Sequence, residues 1–214
     1  GAGDEALLAG TNLCLIGEEV LQFGVAEPLG TGRFRLSRLI RGWHGTEWAC
    51  ASHQAGERFV LLDAGRLAPI ALTPGDIGQV LDVRAIGSGD PIPAEAARRL
   101  DGRGALPLAP VHGRIAVQVN GDLAIRWVRR SRFGWAWPDL GDAPLGEEQE
   151  VYLLRVMAGG AALRSWEAID PFSTYPVAHV AADEVAAAGA PLRIEIVQRG
   201  TSGVSRPLIL PLAS

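Results

Sequence analysis

The chain has no lysine, so all 20 of its basic side chains are arginine. It has only two cysteines, two tyrosines and one methionine in 214 residues. Cys14 and Cys50 belong to no CxxC or Cys/His cluster, which argues against thiolate metal sites. Two cysteines make no disulfide framework either, and we read both as small side chains on neighbouring strands. No apolar run approaches the ~20 residues of a membrane-spanning helix. Gly1–Gly10 is neither basic nor continuously apolar, so it is no signal peptide. The opening Gly1-Ala2-Gly3, without methionine, reads as a piece of a longer polypeptide. Formal net charge is −4, which gives no basis for nucleic-acid or anionic-membrane binding. The absence of lysine reads as the mark of a GC-rich genome; the alternative is a demand for bidentate arginine pairing at interfaces.

What the chain does have is apolar content. Hydrophobic residues make up 48% and mean hydropathy is +0.15, enough to build a real core. The length suits one large or two small domains. The organising stretch is Glu18–Asp63, with β-type runs at Glu19–Val25, Arg33–Leu39 and Arg58–Leu62. Pro28-Leu29-Gly30-Thr31-Gly32 between the first two is a hairpin connection. Phe34 and Leu36 alternate with Arg33, Arg35 and Ser37, as in a half-buried antiparallel strand. Arg58–Leu62 is more continuously apolar and reads as central. Asn12–Ile16 precedes them as a short strand, after a helical turn or extended lead-in at Asp4–Ala9. Leu67–Leu72 and Val80–Ile86 follow, separated by a Pro-Gly-Asp turn at Pro74–Asp76. This makes a small antiparallel β-domain over residues 1–89, barrel-like or a distorted sandwich.

Residues 90–110 are a Pro/Gly-rich junction, read as linker or edge strand. Ala94–Leu100 within it is able to make two helical turns. From Val111 the strands are evenly spaced: Arg114–Val119, Leu123–Arg129, Glu150–Ala158, Ala162–Ala168, Ser173–Val177, Leu192–Arg199 and Leu208–Leu212. Asn120-Gly121 and Gly159-Gly160 are hairpin turns. Seven short strands argue a β-sandwich over residues 111–214. It resembles fibronectin type III domains in placing Trp127 on the second strand, and in the loop Gly203–Pro207 before the last. It departs from them in two ways. The usual tyrosine just ahead of Leu192–Arg199 is missing, with Tyr175 on the preceding strand instead, and Ala178–Ala188 favours a short helix. The expected fold is therefore all-β.

Two blocks carry a wider resemblance. The first comprises Gly17–Phe23, Glu27-Pro28, Arg33–Leu36, Leu39–Gly42, Gly45-Thr46, His53–Glu57 and Phe59–Asp63. The second comprises Leu123–Trp127 with Arg129-Arg130, Gly134–Trp137 and Asp142–Glu147. In this order they resemble the host-specificity (baseplate hub) protein at the tail tip of long-tailed phages. The closest likeness is to the type carried by gene transfer agents and prophages of alphaproteobacteria. The resemblance implies a structural role in tail assembly and host attachment, in the tail of a particle made in the bacterial cytoplasm. It implies other tail-tip proteins as partners, self-association as a trimer in the particle, and contact with a host surface glycan or envelope protein.

The residues themselves point to no catalytic, cofactor or metal site. His44 and His53 lie near Glu47 and Glu57, but without a third ligand or helical spacing, and read as turn residues. Neighbouring carboxylates in Glu18-Glu19 and Glu147-Glu148 point in opposite directions on a strand, so neither doublet is a catalytic pair. Gly30-Thr31-Gly32 lacks the strand and helix context of a nucleotide loop. The remaining candidate is aromatic. Trp135 and Trp137 share one side of an extended segment, after Arg130 and Arg132. They would contact a partner or a glycan, or else cover the core under arginine stems. Two further readings of the whole chain follow: a carbohydrate-binding module, and an accessory domain of a cell-wall hydrolase.

Overall fold

The computed structural model describes residues 1–133 and 143–212, and these are nearly all β with antiparallel pairing throughout. They form two compact units, Gly1–Leu67 with Pro107–Ser214, and Ala68–Leu106. This grouping differs from the expected division into 1–89, 90–110 and 111–214, because the N-terminal sheet and the sandwich share one unit.

The N-terminal sheet begins after helix α1 (Asp4–Leu8). Its strands are β1 (Leu13–Ile16), β2 (Glu19–Gly30), β3 (Arg33–Trp43) and β4 (Phe59–Leu61), in the order β3-β2-β1-β4. The buried Gln22 amide donates to Leu7 O at 2.6 Å and Thr11 O at 2.9 Å, tying the lead-in to the sheet. Cys14, Leu21 and Phe23 make a small buried cluster, with Ile16 and Leu36 packed against it. The apolar run at β4 is an edge strand rather than a central one. It pairs with β1 alone, leaving Phe59 and Leu61 about half exposed.

In the second unit, β5 (Val80–Ala85) pairs with β6 (Ala94–Arg99) as a hairpin, with Arg84 and Glu95 opposite each other and 3.0 Å apart. Residues Ala94–Arg99 are therefore strand, not helix; a short uncapped helix cannot compete with a cross-strand partner in register. Leu67–Leu72 makes no strand, because Pro69 removes a ladder donor there. The turn at Pro74–Asp76 forms as expected, with the Asp76 carboxylate accepting from both the N–H and the hydroxyl of Thr73 at 2.7 Å.

The sandwich has two sheets. One contains β7 (Val111–Val117), β8 (Leu123–Val128) and, later in the chain, β11 (Phe172–Tyr175), in the order β11-β8-β7. The other contains β9 (Val151–Ala158), β10 (Ala161–Ala168), β12 (Leu192–Gly200), β13 (Gly203–Val204) and β14 (Leu208–Pro211). In it β10, β9 and β12 lie side by side, and β13 and β14 both pair with β12. Together the two antiparallel sheets make a β-sandwich around one buried cluster. Alternating residues Tyr152, Leu154 and Val156 of β9 and Leu192, Ile194 and Ile196 of β12 face Ile125 and Trp127 of β8 in one buried cluster. The Trp127 indole meets the Tyr152 ring edge-on at 5.0 Å. Between β11 and β12 the chain forms helix α2 (Val177–Ala187), as propensity suggests. The hairpin at Gly159-Gly160 joins Ala158 directly to its partner Ala161.

Candidate functional site

The most concentrated chemistry lies at the start of β2. Glu19 is fully buried on the same face as Leu21 and Phe23. A buried carboxylate must be met by donors, and four residues supply them. Arg41 donates from Nε to Oε1 at 2.7 Å and from Nη2 to Oε2 at 2.6 Å. The Gly42 N–H donates to Oε1 at 2.8 Å, and the Cys50 thiol reaches Oε1 at 3.2 Å. His53 Nε2 lies 2.6 Å from Oε2, while its Nδ1 lies 2.5 Å from Glu57 Oε2.

Local backbone makes this convergence. The β2–β3 register shifts between Val20/Trp43 and Gln22/Ile40, so an extra residue bulges at Arg41-Gly42. The bulge turns the Arg41 side chain and the Gly42 N–H toward Glu19. Gly42 has φ +65°, and a Cβ there would sit 2.7 Å from the Glu47 backbone, so glycine is required. The loop that follows brings in Cys50 and His53. Thr46 Oγ1 holds its first turn, accepting from Val20 N–H at 3.0 Å and donating to Trp43 O at 2.8 Å.

Burial alone would push the Glu19 carboxyl up, but the donors from Arg41, His53, Gly42 and Cys50 outweigh it and bring the pKa to about 2. Glu57 first, then Glu19, hold His53 above its ordinary value. An imidazolium satisfies both carboxylates by donating from each nitrogen, whereas a neutral ring would aim one lone pair at an oxygen. Burial and then Glu19 push the Cys50 thiol up, away from the reactive thiolate. Both His53 nitrogens face carboxylates and the Cys50 bond runs to Glu19, so these residues present no nucleophile–base pair. The arrangement fastens a loop to a sheet. Among the described residues no group of three or more His, Cys, Asp and Glu is placed to hold a metal.

Sequence reading placed His53 and Glu57 in a turn but missed their link to Glu19. One signal was available: Glu19, Leu21 and Phe23 stand at alternate positions, which puts a charge on the core face. The other histidine of that sequence pair, His44, has its pKa lowered by burial. The aromatic pair Trp135 and Trp137 lies outside the described residues. Arg130 ion-pairs with Glu47 of the N-terminal sheet's loop. Arg132 donates from Nε to the nearly buried Glu147 carboxylate at 2.8 Å. Sequence thus brought Arg130 and Arg132 together as one candidate surface, and the structure gives them separate carboxylate partners.

A second polar network lies at the open side of the sandwich, where β10 and β11 are the edge strands of their sheets. Asp183 of α2 accepts from Arg164 Nε at 2.7 Å and Nη2 at 3.0 Å, and from the Tyr175 hydroxyl at 2.6 Å. Chiefly through Arg164, its carboxyl is held below the usual range. Tyr175 thus anchors the helix, in a domain with no tyrosine immediately ahead of β12. Its ring stacks on Trp166 at 5.5 Å, and the Trp166 N–H donates to Ser173 Oγ at 2.8 Å. No helix among the described residues is long and apolar enough to cross a membrane.

Residues 1–60 match a family model described as Rcc01698-like, C-terminal. No curated protein matches the chain. Among solved structures, domains d3–d4 of the rat CD45 extracellular region are similar over 89% of this chain and 94% of that one, at 10% identity and a TM-score of 0.35.

Proposed function

We propose that the chain is a structural module of a phage-type tail tip, of the baseplate hub kind carried by gene transfer agents, serving tail assembly and host attachment. One observation carries this reading. The sequence pieces with the tail-tip resemblance include Gly17–Phe23, Leu39–Gly42, Gly45-Thr46 and His53–Glu57. These are the pieces that supply Glu19, the Arg41-Gly42 bulge, the Thr46 turn, His53 and Glu57. What the resemblance shares is therefore an architectural clamp whose donors and acceptors are satisfied by one another, not a reactive centre. A module built this way works by holding a surface in place.

The surface on offer is apolar in patches. The β2–β3 hairpin carries Leu29 and Phe34, 46% and 60% exposed, near its turn. In the assembled tail these would meet other tail-tip proteins or further copies of this chain. The module is not an enzyme in this reading, and the purified chain should cleave neither peptidoglycan nor model glycosides. The deciding experiment is immunogold labelling of particles from the producing bacterium. Gold at the distal tail supports the proposal; particles that carry none of the chain refute it.

A further inference from the structure

Beyond any scaffold role, the edge of the sandwich holds a formed groove. It has a volume of about 380 Å³ and is lined by Arg164, Ser165, Trp166, Thr174, Tyr175 and His179, among others. Ligand sites of small molecules start near this size, and combine apolar ring surface with a few convergent polar groups. We propose that this groove binds a neutral saccharide ring, with Trp166 as its stacking surface.

Three features argue for that chemistry. First, the indole is held before any ligand arrives. Tyr175 supports one face, nearly parallel at 17°, and Ser173 fixes its N–H. A fixed indole offers a flat apolar surface to the C–H face of a pyranose at little ordering cost. Second, the charge in the groove is already balanced. Arg164 is engaged by Asp183 through two hydrogen bonds, so the guanidinium does not call for an anionic ligand. Third, the groove's rim is polar: His179 is exposed beside it, and Ser165 and Thr174, which alternate with the inward-facing Trp166 and Tyr175, line it from the strand edges. The edge strands β10 and β11 add outward backbone N–H and C=O groups beside them. An apolar peptide would use the indole but not this polar rim.

The test is saturation-transfer NMR on the full chain with methyl glycosides of glucose, galactose, mannose and N-acetylglucosamine. The expected result is transfer to ring C–H protons of at least one glycoside. His179→Ala, on the exposed helix surface, should weaken binding about tenfold. Ser165→Arg, a long side chain at the groove's rim, should abolish binding by crowding its mouth, with an unchanged melting curve. Trp166→Ala should also abolish it, although this variant removes support from Tyr175, so the two surface variants decide. The proposal is overturned if no glycoside shows transfer at millimolar concentration. It is equally overturned if binding survives Ser165→Arg and His179→Ala, or disappears instead in a Trp135→Ala, Trp137→Ala double variant.

Discussion

The N-terminal sheet and the sandwich belong to one compact unit but are held together by different physics. In the sandwich, two sheets enclose a cluster of fully buried apolar side chains, among them Ile125, Leu154, Val156, Ile194 and Ile196. The N-terminal sheet buries only Cys14, Leu21 and Phe23 in its own cluster, and beside them places a charged carboxylate. Apolar burial is non-directional and tolerant of pH. A buried carboxylate is directional, and is stabilising only while each donor stays in place. The lesson is that a sheet too small to enclose a core can still be specified by one saturated polar cluster, at the cost of sensitivity to any lost partner.

Mutation separates the two regions most strongly. Trp127→Ala removes the largest ring of the sandwich cluster and should cost about 3–5 kcal/mol. Chemical denaturation measures this, and a loss below ~1 kcal/mol would mean that Trp127 is peripheral and the sandwich register misread. Glu19→Ala should cost about 3 kcal/mol by stranding Arg41 and His53 without their acceptor. Its effect should be regional. Amide exchange should accelerate across β1, β2 and β4 while β9 and β12 keep their protection. A uniform loss across both regions would contradict the contrast drawn here.

Acid and base should sharpen the difference next. The folded Glu19 pKa is about 2 against an ordinary 4.5. Its contribution, up to about 3 kcal/mol, is complete above pH 4.5 and lost as pH falls toward 2. His53 runs the other way. Its pKa is held above 6.5, so its contribution is complete below 6.5 and lost as pH rises through the raised value. Protection of the N-terminal sheet should therefore peak between 4.5 and 6.5. In the sandwich, Asp183 is the carboxyl held low, so it should lose some stability in acid but show no matching loss on the alkaline side. Exchange rates that track each other across this range would sink the idea. The smallest effect concerns the hairpin end. Phe34→Ser alters an exposed side chain and should change stability by no more than about 0.5 kcal/mol. A larger loss would place Phe34 in a packed contact of the isolated chain.

Much of this was legible in the residues. Period-two alternation located β2 and β3, and evenly spaced apolar runs between turn signals located β8, β9 and β12. Asn120-Gly121 and Gly159-Gly160 marked their hairpins, since both turns need positive φ. The fibronectin-type resemblance of its position on the second strand puts Trp127 in a core, and it is buried there. The helix between β11 and β12 followed from propensity alone.

Tertiary structure decided what depends on a partner distant in sequence. Ala94–Arg99 became a strand because Val80–Ala85 lies in register beside it, which no local pattern reports. The apolar Phe59–Leu61 became an edge because sheet order, unlike burial propensity, is set by which strands meet. The Glu19 clamp joins residues up to 34 positions apart through a bulge and a loop. Alternation placed the charge on the inner face; only the fold could say that Arg41, Gly42, Cys50 and His53 would be there to receive it, since the energy of a buried charge depends wholly on what surrounds it.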